Sequence, residues 1–88
     1  MSAQVSWVEV QLKYDQLLGK IPVFMRPIAL QKVTKKAETL VLADNRQSVT
    51  EKDLVDAFFA ETPFGFHGPL KNDMREFGIN YQQYGYEK

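Results

Sequence analysis

Few side chains in this sequence could carry out catalysis. His67 is the single histidine and the chain has no cysteine, so a zinc site would need carboxylates at a ligand spacing that is not present. A Ser–His–acid arrangement could use only Ser2, Ser6 or Ser48, which lie near the start of the chain or beside a predicted helix. We therefore predict that the protein is not an enzyme and has no cofactor. His67, which follows Phe66 in a predicted loop, should be solvated or packed, with a contact to substrate or partner as the alternative.

A cationic hinge is the first candidate binding site. The stretch "KIPVFMRPIAL" carries two prolines, and Pro27 fits the first turn of a helix, where its missing N–H has no partner to lose. Arg26 and Lys20 would then lie near the positive end of that helix, where a cation is unfavourable unless an anion or a carboxylate offsets it. Both an anion site and a pairing of Arg26 with the acidic start of a later helix stay open. The candidate residues for binding an anion or a partner are Lys20, Arg26, Lys32, Lys35 and Lys36.

Aromatic residues near the C-terminus are the second candidate. They either fold back onto the helical core or form a contact surface, for which tyrosine is well suited because it combines apolar area with one polar group. The candidate interface aromatics are Phe64, Phe66, Tyr81, Tyr84 and Tyr86.

Composition limits the class of protein. The 88 residues suffice for one domain, and eleven basic residues balance eleven acidic ones, which disfavours a general nucleic-acid or membrane-surface binder. No apolar run approaches the ~20 residues that span a bilayer, and the first residues do not resemble a secretion signal. We expect a cytoplasmic protein. A core this small gains from a partner, so we expect a protein partner or self-association as a dimer.

Apolar spacing predicts an all-α fold. "SWVE" fits a capping box with Ser6 as N-cap, and apolar residues then recur every three or four positions, which predicts a helix over residues 7–18. A long helix should follow with Pro27 in its first turn and end at Ala43. Asp44 and Asn45 would stop it.

A third helix is predicted over residues 51–60. Thr50 is a good N-cap and Asp53 occupies the third helical position. The stretch "LKNDMREF" could add one or two helical turns, but the remainder should be irregular, and no internal repeat is visible. The prediction is therefore a short–long–short set of three helices over residues 1–62, with residues 63–88 as a loop and aromatic extension packed on the same domain.

The segments "IPVFMR" and "VTEKDLVDAF" resemble the small domain at the C-terminal end of a subunit of light-independent protochlorophyllide reductase, and its short stand-alone relatives. The resemblance covers about residues 14–60. The matching positions are Ile21, Pro22, Phe24, Arg26, Ala37, Val49 and Thr50. The reductase is nitrogenase-like, and its cluster ligands lie elsewhere in the enzyme. The resemblance thus implies a non-catalytic accessory or interaction module, linked to a redox or tetrapyrrole-related assembly.

A second resemblance is to the histone fold. "RQSVTEKDLVDAF" is similar to the loop and last helix of a core histone, and the short–long–short order of helices is also similar. This resemblance implies a dimer with crossed long helices that binds nucleic acid through a basic helix face.

Overall fold

The computed structural model describes residues 5–87 and confirms an all-α fold, with no strand in that range. Its α-helices are α1 (Gln11–Gly19), α2 (Arg26–Ala43), α3 (Glu51–Glu61) and α4 (His67–Glu76). Short 3₁₀ turns cover Val23–Met25, Phe64–Phe66 and Tyr81–Tyr84. None of the helices in this part of the chain is long and apolar enough to cross a membrane. Ser2, considered above as a nucleophile, lies outside the described residues.

The first helix begins later than predicted. α1 starts at Gln11, and Val10 before it provides no side-chain cap. Ser6 is used differently from the predicted capping box: its N–H donates to the carbonyl of Gln47, and its own carbonyl accepts from Val49 N–H, at 2.8 and 2.9 Å. This short parallel bridge fixes the N-terminal segment beside the α2–α3 connection. Backbone pairing to a distant segment therefore replaces the local helix start.

The second and third helices follow the sequence closely. Pro27 lies in the first turn of α2, and the helix ends at Ala43 as predicted. Thr50 caps α3 and forms a reciprocal capping box with Asp53. Asp53 is buried, and both of its carboxylate oxygens accept hydrogen bonds from Arg46, at 2.7 and 2.8 Å.

Asp53 remains charged in this buried position because its partners outweigh desolvation. Burial acts to raise its pKa, but hydrogen bonds from Arg46 and Thr50 hold the pKa below the usual value. A lowered folded-state pKa means that the carboxylate stabilises the fold at pH values above the ordinary aspartate pKa. That stabilisation is lost as the pH falls through the folded-state value.

The predicted count of three helices is wrong, because a fourth helix forms in the C-terminal part of the chain. Leu70 and Met74 are four residues apart on α4 and are both buried in the core. Gly78 follows the helix with a φ of +75°, a left-handed conformation that glycine adopts without strain. Ile79 and Tyr81 then continue into the same core. Long-range burial stabilises α4, which is longer than the one or two helical turns that the local sequence "LKNDMREF" indicates.

The core is shared by all four helices. Its buried members are Val10, Tyr14, Leu17, Val33, Ala37, Val41, Val49, Leu54, Val55, Ala57, Phe58, Phe59, Leu70, Met74, Ile79 and Tyr81. Five of the eleven residues of α3 belong to this set, and α3 packs most extensively against α2.

We expect Asp53→Ala to lower the free energy of unfolding by about 2 kcal/mol, because it removes the capping box and the acceptor of two charged hydrogen bonds. The matched control is Asp44→Ala, which removes the other carboxylate bound by Arg46 but at an exposed position. The control should cost no more than about 0.5 kcal/mol. Urea unfolding followed by circular dichroism measures both, and equal losses would show that Asp53 has no special structural role.

Candidate functional site

Two proline-led turns with the same geometry connect the helices in pairs. We call residues 22–25 the first elbow, which joins α1 to α2, and residues 63–66 the second elbow, which joins α3 to α4. The prolines that open them have nearly equal backbone angles, φ −51° and ψ 140° for Pro22 and φ −55° and ψ 144° for Pro63. In each elbow the proline carbonyl accepts the N–H three residues later, at 2.9 Å. Each elbow leads directly into the next helix.

The residue that follows each elbow caps the C-terminal end of the helix that precedes the elbow. Arg26 Nε donates to the carbonyls of Leu18 and Ile21, eight and five residues earlier, at 3.0 and 2.8 Å. His67 Nε2 lies 3.1 Å from the carbonyl oxygen of Phe59 and 2.9 Å from that of Thr62, at the same two sequence offsets. A carbonyl oxygen only accepts, so His67 Nε2 carries the hydrogen and donates. Arg26 and His67 therefore have the same role at the C-terminal ends of α1 and α3.

One reading of the sequence pairs Arg26 with the acidic start of α3. In the structure Arg26 is not paired with those acids. Its guanidinium instead satisfies three carbonyls at the end of α1, since Nη2 also donates to Gly19, at 2.9 Å. The last carbonyls of a helix have no intrahelical partner and carry its negative dipole end, so a cation is favourable there. His67 is likewise a packing residue, with its ring 5.0 Å from that of Phe59.

An apolar groove lies between the two elbows, with a cavity of about 430 Å³. Its floor is made of core side chains, Leu17, Val33, Phe58 and Leu70. Three large apolar side chains at its edges remain open to solvent: Met25, Ile28 and Phe66, with exposed fractions of 48%, 57% and 64%. Pro22, Pro63 and Pro69 complete the apolar lining. We call this feature the elbow groove.

Charged residues differ between the two sides of the elbow groove. On the α4 side, Lys20 pairs with Glu76 at 2.9 Å, and Asp73 also lines the groove. Burial raises the pKa of Asp73, with the neighbouring Lys20 acting against that rise. Lys20, one of the candidate anion-binding residues, thus already has a carboxylate partner.

On the α2 side, Lys32, Lys35 and Lys36 form a basic ridge. Lys32 lines the elbow groove, and all three lysines line an adjoining shallow cavity of about 210 Å³ together with Thr39 and Glu61. No ion pair among residues 5–87 involves any of these three lysines. The structure therefore groups three of the five candidate cations. Lys20 lines the opposite side of the elbow groove, and Arg26 lines neither cavity.

The candidate interface aromatics divide into two groups. Phe64 and Phe66 lie in the second elbow and are exposed. Tyr81 is buried, and Tyr84 and Tyr86 are partly buried against the core. Of these residues, only Phe66 lines the elbow groove.

The partly buried tyrosines hold the C-terminal segment on α3. Tyr86 stacks on Phe59 with ring centroids 4.2 Å apart and donates a hydrogen bond to Asp56 at 2.5 Å. Burial, and then this bond to a carboxylate, raise the pKa of the Tyr86 hydroxyl well above its usual value. Tyr81 accepts a hydrogen bond from Arg75 at 2.7 Å. These contacts attach the end of the chain to α3 and α4, the two helices that the second elbow joins.

The repeated elbow and the groove residues Met25 and Ile28 were missed by sequence reasoning. A signal for the repeat is present, because "PVFMR" and "PFGFH" both place a side-chain N–H donor four residues after a proline. Within residues 5–87, no three histidine, cysteine, aspartate or glutamate side chains group as metal ligands would. The elbow groove has a larger apolar lining than the shallow cavity beside Lys35 and Lys36.

No protein-family model, curated protein or solved structure matches this chain.

We expect Arg26→Ala and His67→Ala each to lower the free energy of unfolding by about 1–3 kcal/mol, because the first removes the side-chain donor from three carbonyls and the second removes it from two. The informative variant is His67→Arg. An arginine at the matching position of the first elbow already makes the equivalent bonds, so this variant should lose less than half as much as His67→Ala.

Thermal and urea unfolding measure these differences, with Lys35→Ala as a control on the exposed side of α2. The control should change the free energy of unfolding by less than about 0.5 kcal/mol. If His67→Arg were as damaging as His67→Ala, the two elbows would not be equivalent.

Proposed function

We propose that this protein is a non-catalytic interaction module that binds a partner protein in the elbow groove. The observation that supports this function is the exposure of Met25, Ile28 and Phe66 around a concave apolar floor. Contiguous apolar surface of this kind marks interaction sites on soluble domains. Methionine suits such a surface because its flexible side chain adapts to different partner shapes.

The rigidity of the site also supports binding. Both sides of the groove are set by elbows whose caps fix the adjoining helix ends. A preformed site loses less conformational entropy on binding than a flexible one. The backbone that carries the exposed apolar residues is therefore held in place before a partner arrives.

The resemblance to the protochlorophyllide reductase C-terminal domain suggests a context for this module. Its motif residues Ile21, Pro22 and Arg26 coincide with the first elbow and its cap. In this protein Ile21 and Pro22 line the groove, and Arg26 caps the end of α1 beside it. We propose on this basis an accessory role in a redox or tetrapyrrole-related assembly, in the cytoplasm.

A histone-like dimer that binds nucleic acid is the second candidate, favoured by three lysines on α2 that form no ion pair within residues 5–87. A gel shift with duplex DNA of random sequence tests it. Binding through Lys32, Lys35 and Lys36 should weaken steeply between about 50 and 200 mM salt. It should be lost when all three are changed to glutamine. Absence of a shift at the lower salt concentration would rule out this candidate.

The preferred function predicts site-specific crosslinking. We replace Phe66 with a photo-crosslinking phenylalanine analogue in cells that naturally contain the protein. Irradiation should yield a discrete covalent adduct with one other protein. The adduct should disappear when Met25→Ser is added, because this change removes an apolar group from the same groove.

Leu12 is the matched control for this experiment. It is 71% exposed, comparable to Phe66, but it does not line the groove. The analogue at Leu12 should give no such adduct. Equal adducts from both positions, or none from Phe66, would contradict the proposed function. Adducts between two copies of the chain would indicate self-association as a dimer.

A further inference from the structure

We infer that the elbow groove binds an amphipathic α-helix of the partner, with acidic side chains along the edge that faces α2. This inference rests on the proposed function and adds the kind of partner and its orientation. It is drawn from the shape of the groove, the extent of its apolar rim and the unequal charge on its two sides.

The groove has the length of a docked helix. Its α2 side is formed by Ile28, Ala29, Lys32 and Val33 together with Met25, which directly precedes α2. These residues recur at a helical spacing along about 12 Å. A bound helix presents anchors at positions i, i+3 or i+4, and i+7 over a similar length, roughly 10 Å. The floor residues behind them are already packed in the core. Partner side chains would therefore meet a firm apolar surface.

The apolar surface extends further than a small ligand would cover. Val23 and Phe24 in the first elbow, and Phe64 in the second, are exposed by 71%, 80% and 88% but do not line the cavity. Small-molecule sites typically enclose most of their ligand. Here the exposed apolar side chains continue over both elbows, which fits a macromolecular partner.

A partner strand would have nothing to pair with. The β-structure in residues 5–87 is limited to the bridge between Ser6 and Ser48, and neither residue lines the groove. Backbone groups around the groove belong to helices and capped elbows. Recognition must therefore use side chains, which is how a helix is bound in a groove.

Charge sets the orientation and the polar edge of the bound helix. Lys32, Lys35 and Lys36 continue along α2 beyond the groove and have no ion pair among the described residues. The opposite side carries Asp73 and the Lys20–Glu76 pair. Glu61 lies beside these lysines but leaves the first side with an excess of positive charge. Acidic residues on the partner would therefore be attracted by the first side and repelled by Asp73 on the second. The difference in charge between the two sides of the groove therefore favours acidic residues on the edge of the bound helix that faces α2.

The same residues fit a membrane surface less well. Exposed apolar side chains beside lysines are features of membrane-surface binding, but Glu61 and Asp73 also line the groove. Both acids would be repelled by anionic headgroups. A flat bilayer surface would also leave the concave floor unfilled, whereas a cylindrical helix fills it.

Two synthetic helical peptides test the inference. Both are stapled, about four turns long, and carry leucines at the i, i+4 and i+7 positions of one face. One has glutamates along one edge of that face and the other has lysines there. Titration into the ¹⁵N-labelled full-length protein, followed by NMR, should show that the glutamate peptide shifts signals of Met25, Ile28 and Phe66. Its affinity should exceed that of the lysine peptide by about tenfold.

Two double variants with the same change in net charge provide the control. Lys32→Gln with Lys36→Gln should remove the preference for the glutamate peptide. Gln47→Glu with Gln82→Glu makes the same overall charge change at exposed positions outside the groove and should keep the preference. Phe66→Ser should abolish binding of both peptides. Met25→Ser serves the same purpose if the Phe66 variant fails to fold by circular dichroism.

The remaining outcomes overturn the inference and distinguish it from the proposed function. Equal affinity for both peptides would show that the groove binds an apolar helix but has no preference for an acidic edge. If neither peptide bound but Phe66 still formed a crosslink to a partner, the inferred helical partner would be rejected. The proposed function as an interaction module would stand. Binding to phosphatidylserine vesicles that is lost in Phe66→Ser would make the groove a membrane contact. Self-association lost in the same variant would make the occupant a second copy.

Discussion

The ends of α1 and α3 impose the constraint on which the structure depends. A helix that stops at the edge of a core leaves carbonyl oxygens without partners, and here the chain must also turn at once into another helix. A proline-led elbow provides the turn, and the next side chain returns to donate to the orphan carbonyls. Arg26 does this at α1 and His67 does it at α3, through one N–H shared between carbonyls eight and five residues earlier.

The elbow groove follows from that arrangement. An elbow places its own apolar side chains outside the core, because the cap occupies the inner side of the turn. Two elbows that face the same space therefore leave Met25 and Phe66 exposed over a packed floor. The C-terminal segment contributes by fixing α3: Tyr86 and Tyr81 both contact Phe59, which also contacts the ring of His67. Most of the aromatic residues near the C-terminus thus stabilise the site through their contacts with α3 and do not line the groove.

Local signals were sufficient for part of the fold. Pro27 marks the first turn of α2, and the Thr50–Asp53 capping box marks the start of α3, because both depend on residues within one helical turn. The start of α1 could not be predicted in this way, since Ser6 pairs with Gln47 and Val49 across the fold. Helix α4 depends on burial of Leu70 and Met74 against distant helices. The lysines of α2 were found from sequence, but the different role of Arg26 depends on its return to the carbonyls at the end of α1, which the sequence does not show.

The tautomer of His67 tests the account most directly. A long-range ¹⁵N–¹H NMR spectrum of the labelled protein near neutral pH shows which imidazole nitrogen carries hydrogen. The cap requires hydrogen on Nε2, because both neighbouring carbonyls are acceptors. An imidazole with hydrogen only on Nδ1 would mean that His67 does not cap α3. In that case the second elbow, and the groove built on it, would not have the structure described above.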